Sequence, residues 1–253
     1  MVNDRYANAL HNAAHKCDVE ALLRCLTQEA LAACPIDTRD RETNSVLHAL
    51  CRYEGPRHGE DDRNAEDVEA CLQLLVDAGA DLEARDWFGR SPLHVLARAP
   101  LTNLGTEATL RLTSLLLRHG ANVNSIDNDY DHPTLLHAAA SSAHSSMVTL
   151  LVKAGASVHA RNINGHSPLD VAIQRNIRRN VRAIMPILLR AGAKISKNND
   201  IWYLQKVIDA GGFKKYEQAH LAKLTKTFEP KFTMLPKELV RHILTFCFHA
   251  GFY

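Results

Sequence analysis

The chain has 253 residues, 46% of them hydrophobic and 23% charged, a balance that suits a soluble globular protein with a substantial core. A formal net charge of +2 excludes a whole-chain demand for an anionic partner. No stretch approaches the roughly 18 apolar residues that span a bilayer. The opening Met1-Val2-Asn3-Asp4-Arg5-Tyr6 has no apolar signal core, so a cytosolic or nuclear protein is expected.

Charge is uneven along the chain. Residues 163–253 hold 15 Lys and Arg against 6 Asp and Glu, a net of +9, and the first 162 residues carry a net of −7. The basic third either aids solubility or meets an acidic partner. The cysteines Cys17, Cys25, Cys34, Cys51, Cys71 and Cys247 form no C-x-x-C pair and sit mostly among apolar residues. Reduced, buried thiols are expected, not a disulfide framework or a zinc site.

Two coupled elements recur in chain order. The first ends in Leu-His or its equivalent: Ala9-Leu10-His11, Val46-Leu47-His48, Pro92-Leu93-His94, Leu135-Leu136-His137 and Pro168-Leu169-Asp170. The second is an apolar helix that stops at glycine, as in Leu74-Leu75-Val76-Asp77-Ala78-Gly79. It returns ahead of Gly120, Gly155 and Gly192. Proline at the first helical position, Pro92 and Pro168, costs no hydrogen bond because that N–H is free in any case. Ser91 and Ser167 before them are expected to cap the helix start. Glycine at the far end suits the left-handed residue that closes a helix. In Asp86-Trp87-Phe88-Gly89 the glycine meets the demand of a tight turn, and Gly165 is its counterpart.

The Leu-His elements are spaced by 37, 46, 43 and 33 residues. The last interval falls on the roughly 33-residue ankyrin period. Ser91-Pro92-Leu93-His94-Val95-Leu96-Ala97 nearly spells the T-P-L-H-x-A signature, so the chain resembles the ankyrin repeat family. The resemblance implies an all-α solenoid of about five helix-turn-helix repeats with β-hairpin turns. The repeats are placed over 3–198, at about 3–40, 41–86, 87–127, 128–162 and 163–198. It further implies that the recurrent histidine ties neighbouring turns together, and that Asp170 weakens or alters that link. The first copy is degenerate, with Tyr6 where the turn glycine would stand, which suits an N-terminal cap.

The longer intervals mark inserts: Glu54 to Asn64, Ala99 to Gly105, two extra residues near Asp127-Asn128-Asp129-Tyr130, and the basic segment Gln174 to Arg182. Each serves recognition or is tolerated surface length. After Asn199 the repeat stops. A helical C-terminal cap is expected over 199–253, with helices at 201–208 and 213–228 and a break at Gly211-Gly212. Phe213, Tyr216, Leu221, Leu224 and Phe228 are its inward candidates. The final Met234-Leu235-Pro236-Lys237-Glu238-Leu239 resembles the opening of an F-box, and also the shorter PRANC motif. That resemblance implies a Skp1-type ubiquitin-ligase adaptor on Leu235, Pro236, Leu239 and Ile243. The alternative is an amphipathic helix that finishes the cap.

No metalloprotease H-E-x-x-H, nucleophile-elbow G-x-S-x-G, Walker loop or G-x-G-x-x-G occurs, so no catalytic residue, cofactor or metal is expected. Arg175, Arg178, Arg179, Arg182, Lys214 and Lys215 lack the interleaved stacking aromatics of a nucleic-acid site, because Phe213 and Tyr216 have core spacing. The resemblance instead implies a protein partner held by turn tips and the concave inner-helix face. The tip candidates are Arg41, Glu42, Trp87, Phe88, Asn128, Tyr130, Ile163 and Asn164. Trp87 and Phe88 either anchor the partner or pack on an adjacent turn.

Overall fold

The computed structural model describes residues 2–40, 44–52, 65–98, 106–128, 131, 133–142, 144–174, 181–196, 202–228, 236, 238–240 and 242–243. Among these the protein is mostly helical and contains no strand. Helices run in pairs: α1 (Val2–Lys16) with α2 (Val19–Cys25), followed by the short α3 (Gln28–Ala33), then α4 (Val46–Cys51) with α5 (Ala65–Asp77). Next come α6 (Pro92–Arg98) with α7 (Thr106–Arg118), α8 (Leu135–Ser141) with α9 (Ser145–Lys153), and α10 (Pro168–Gln174) with α11 (Val181–Arg190). The pairs stack so that α1, α4, α6, α8 and α10 form one row and α2, α5, α7, α9 and α11 a second. Leu47, Leu50, Leu93, Leu96, Leu135 and Leu136 of the first row and Leu72, Leu75, Leu112, Leu116, Leu151 and Leu188 of the second are fully buried between them. No single pair encloses this leucine layer, so each depends on its neighbours for burial.

The second-row helices end as their sequence dictates. Gly79 takes φ +86° and donates its N–H to the Val76 carbonyl, while Ala80 donates to Leu75. This paired closure needs a left-handed residue, and only glycine adopts it freely. Ala121, Ala156 and Ala193 make the same bond to Leu116, Leu151 and Leu188. The N–H that follows each closure goes to the repeat before it: Asp81 to Asp37 (2.9 Å), Asn122 to Glu83 (2.7 Å) and, two residues past Gly155, Ser157 to Asn124 (2.8 Å).

The first-row helices start on a capping box in which histidine fills the third position. Nδ1 of His48, His94 and His137 accepts the backbone N–H of Ser45, Ser91 and Thr134 at 3.2–3.4 Å. An N–H only donates, so Nδ1 is bare and Nε2 carries the proton. That proton leaves the repeat: His48 Nε2 donates to the Arg90 carbonyl (2.7 Å) and His137 Nε2 to the His166 carbonyl (2.9 Å). His11 places Nε2 3.1 Å from the Asn44 carbonyl. Asp170 copies only the cap, accepting from Ser167 N–H at 2.9 Å; a carboxylate has no proton to pass onward, and the ladder ends there.

Two expectations change. Among the described residues no strand flanks the anticipated β-hairpins; the Asp86 turn closes by its N–H to the Arg90 carbonyl and by Gly89 N–H to the Asp86 carbonyl. The nearest approach to a ladder among the described residues is one isolated antiparallel bridge between Ile126 and Thr134. Tyr6 does not stand at a turn, because α1 begins at Val2 and runs through it. The expected helices beyond the stack are α12 (Trp202–Asp209) and α13 (Phe213–Phe228). Phe213 is buried there, and Arg190 of α11 reaches Glu217 of α13 (2.8 Å). Cys51 and Cys71 are fully buried, and burial pushes the Cys71 thiol up to about 12.

Burial, partly opposed by the Arg90 carbonyl, lowers His48 to about 4; burial and the nearby Arg85 and Arg98 charges lower His94 to about 3; burial also lowers His137. An unfolded chain takes up these protons near pH 6.5, whereas the folded rings resist until well below it. Stability present above pH 6.5 is therefore lost as pH falls toward 4, by up to about 1.4 kcal/mol per pH unit for each ring. Urea midpoints are expected to drop clearly between pH 7 and pH 5. A midpoint that stays level would show that the rings are not held neutral.

Candidate protein-interaction surface

The turns opened by Asp40, Asp86 and Asn162 are built on an acid or amide that binds its own backbone. Asp86 Oδ1 accepts N–H from Phe88 and Arg90 at 2.9 Å each, and Asn162 Oδ1 accepts from His166 at 2.9 Å. The two residues between this Asx and the glycine then project outward. Trp87 is 78% exposed, Phe88 56% and Ile163 65%. Asn128 and Asn164 are exposed as well. Arg41, Glu42 and Tyr130 lie outside the described residues.

Trp87 does not pack on an adjacent turn, and one face of Phe88 is covered by the Arg90 guanidinium, 4.4 Å from the ring centre. Gly89, at φ +71°, lies so close to the next tip that an added Cβ would stand 2.5 Å from the Asn128 side chain. Arg85 donates to the Ile126 carbonyl (2.7 Å) and to the Gly89 carbonyl (3.0 Å). Ile163 N–H donates to the Asp131 carbonyl (3.0 Å), and the Asn164 amide bonds the Asp131 carboxylate. The tips are thus tied into one ridge, not held as separate loops.

The sequence reasoning missed Ile126, which is half exposed on this ridge. It occupies the position before the Asx, where Arg39, Arg85 and Arg161 stand in the other turns. Those arginines bond turn carbonyls, Arg39 to Arg85, Arg85 to Gly89 and Ile126, and Arg161 to Gly165. Comparing that column across the turns would have exposed the isoleucine.

Beside the ridge, a groove of about 580 Å³ runs along the C-terminal ends of the first-row helices, with Arg98, Ser141 and Gln174 on one side and Asp131, Asn164 and His166 on the other. Two buried carboxylates underlie the arginines at this level. Asp86 binds Arg90 (2.7 Å) and Arg52 (2.9 Å), and Asp127 binds Arg98 (3.0 Å). Burial opposes ionisation of Asp86, but the Arg90 side-chain and backbone hydrogen bonds outweigh it and hold the carboxyl below its ordinary range.

Of the expected adaptor positions, Leu235 lies outside the described residues and Pro236 is exposed. Leu239 and Ile243 are also exposed, one helical turn apart, while Val240 beside them is buried. Among the described residues no group of three or more His, Cys, Asp or Glu is placed to hold a metal ion. No described helix is long and apolar enough to cross a membrane.

Comparison with known proteins agrees with this geometry. Residues 106–199 match the family model described as ankyrin repeats, in three copies. The chain is 27% identical to the mouse B-cell lymphoma 3 protein homolog over 168 residues, covering 54% of this chain and 34% of that protein. It is 32% identical to human protein fem-1 homolog C over 122 residues, covering 45% of this chain and 19% of that protein. A third relative is the transient receptor potential cation channel subfamily A member 1 homolog of Caenorhabditis elegans, 26% identical over 185 residues, or 73% of this chain and 13% of that one. The chain spans about a third or less of the length of each of these relatives. Residues 106–199 therefore carry matches to ankyrin repeats, and such repeats support a protein–protein interaction role.

Asp86 closes its turn and neutralises two arginines from a fully buried position. Asp86→Ala is expected to cost about 3 kcal/mol in chemical denaturation, the usual loss when one partner of a buried ion pair is removed. Asp86→Asn keeps the acceptor for the two N–H groups and should lose less. A cost of Asp86→Ala below about 1 kcal/mol would place this pair among weak surface bridges.

Proposed function

We propose that this chain is a non-catalytic scaffold that binds a partner protein across the turn ridge and the adjoining first-row helix face, in the cytosol or nucleus. The observation that carries the proposal is the rigid row of exposed apolar side chains, Trp87, Phe88, Ile126 and Ile163, on turns bonded to one another. Large apolar groups on preordered backbone lose little entropy on binding and supply most of the affinity of an interface. Asn128 and Asn164 belong to the same tips and are assigned to partner selection; Arg41, Glu42 and Tyr130, outside the described residues, are assigned to it from their places in the sequence repeat. The repeat region 3–198 forms this surface, and 199–253 closes its end.

Trp87→Ala combined with Ile163→Ala is expected to remove the proteins captured from cells by the wild-type chain while leaving the melting temperature within a few degrees. Unchanged capture by a folded double variant would rule out the ridge as the binding surface.

A second reading makes the chain a substrate receptor whose C-terminal helix recruits a Skp1-type adaptor. Its support is the exposed pair Leu239 and Ile243 on a segment anchored by Val240. Such i, i+4 apolar pairs dock into helical grooves. Leu239→Asp with Ile243→Asp should abolish adaptor co-purification and spare the other partners. If the wild-type chain captures no such adaptor, the segment only finishes the cap.

A further inference from the structure

One column of the first-row helices changes along the stack. Four residues after the recurrent histidine, His48 and His94 are followed by Arg52 and Arg98, and His137 by Ser141. Each arginine crosses from the end of its helix to the acid that opens the next turn, Arg52 to Asp86 at 2.9 Å and Arg98 to Asp127 at 3.0 Å. Both carboxylates are fully buried, so each arginine closes the space between its helix and that turn. At the next joint both members change together. Ser141 is too short to cross, and the turn opens with Asn162, a neutral amide whose Oδ1 takes the His166 N–H. The groove of about 580 Å³ lies at this joint, with Ser141 on its helix side and Asn162 and His166 on its turn side. Where the two preceding joints hold an arginine side chain, this one holds open space.

The groove also has an anion of its own. Asp131 is exposed on its wall. The Asn164 amide uses one of the roughly four hydrogen bonds that a carboxylate accepts. Among the described residues no Lys, Arg or His stands within ion-pair distance of Asp131. Arg98, which also borders the groove, is already matched by Asp127. We infer that the bound partner inserts an arginine side chain between α8 and the Asn162 turn, its guanidinium on Asp131 and its methylene stem along Ala138 and Val171. The inference rests on the protein-binding proposal above and names one side chain of what is bound. Ile163 sets the groove beside the ridge: its N–H donates to the Asp131 carbonyl (3.0 Å), so a chain that packs on Ile163 passes the groove mouth. Arginine suits the place better than lysine, because its planar fork meets a carboxylate with two parallel hydrogen bonds. It is also the side chain that the two preceding joints hold in the equivalent position.

The test uses the full, isotope-labelled chain and N-acetyl-arginine amide, with N-acetyl-citrulline amide as its neutral isostere. In NMR titrations the arginine probe is expected to bind in the millimolar range, about what a fragment of this size achieves, and to shift the amide resonances of Ser141, Asn162, Asn164 and His166. The citrulline probe should bind at least about fivefold more weakly, since it lacks the charge. Asp131→Asn keeps an acceptor for the Asn164 amide and should weaken the arginine probe to the level of citrulline. Ser141→Arg fills the groove from within and should abolish the shifts. Ser141→Arg with Asn162→Asp rebuilds the arrangement of Arg98 and Asp127, and keeps this arm readable if melting shows the single variant unfolded. Equal binding of citrulline overturns the inference, as do shifts confined to other parts of the chain or no shift at all. Arginine binding that folded Asp131→Asn and Ser141→Arg leave unchanged also overturns it. If the arginine probe fails while Trp87→Ala with Ile163→Ala still loses the cellular partners, the ridge stands and only the inserted arginine falls. If the probe binds as expected while that double variant keeps its partners, the groove stands and the ridge falls.

Discussion

A single turn carbonyl ties one repeat to the next at three joints of the stack. The Asn44, Arg90 and His166 carbonyls each accept the N–H of the Asx that opens their own turn, and each also meets the Nε2 of the histidine one repeat earlier. The first bond closes the turn and the second fixes its distance from the neighbouring helix. Histidine is the residue that joins them: in His48 and His137 Nδ1 caps its own helix and Nε2–H reaches the next turn, whereas His11 turns Nδ1 to the Ala7 carbonyl. Serine or asparagine in that place would cap but not span the gap. The requirement for a bare Nδ1 is also what makes the fold sensitive to acid.

The bond is absent at one joint, and the cause is visible. The turn opened by Asp127 closes on the Pro133 carbonyl, six positions on, where its counterparts close after four. The extra length displaces the acceptor that His94 would use. Its ring turns toward the backbone of Ser125, where the buried Nε2 finds no well-aligned partner. The same turn has Ile126 in place of the arginine that bonds the next turn elsewhere. Two kinds of inter-repeat bond therefore lapse in one turn, the histidine link beside the insertion and the arginine link where Ile126 stands, and the inserted residues supply Asp131 to the wall of the groove.

Much of this was legible in the sequence. The Leu-His and Leu-x-x-x-Gly elements indicate the helix order, because periodic leucines and end-glycines report local rules that tertiary contacts do not override. The tip positions Trp87, Asn128 and Ile163 were legible too: each follows an Asx committed to its own backbone, so each side chain is left to point outward. Tyr6 was misplaced because the first copy lacks a cap signal ahead of it and its helix simply extends to Val2. Ile126 was missed because its exposure depends on a column of arginines that becomes a column only after the inserts are aligned. The depth of Asp86 and Asp127 beneath their arginines had no local signature at all. It follows from stacking one repeat on the next, since Arg52 comes from the repeat before Asp86 and Arg98 from the repeat before Asp127.

That division of labour separates what the chain conserves energetically from what it is free to vary. Loss of the Asp86 carboxylate takes an ion-pair partner from Arg52 and Arg90, and a side chain with no acceptor also leaves the Phe88 and Arg90 N–H groups without their oxygen, so Asp86 is bound to the fold. Arg52 and Arg90 above it satisfy the buried carboxylate while part of each side chain stays at the surface. On the proposed reading, selectivity falls to side chains that the stacking bonds do not use, Trp87 and Ile163 on the ridge and Ser141 along the groove, where substitution would change a partner's fit and leave those bonds in place.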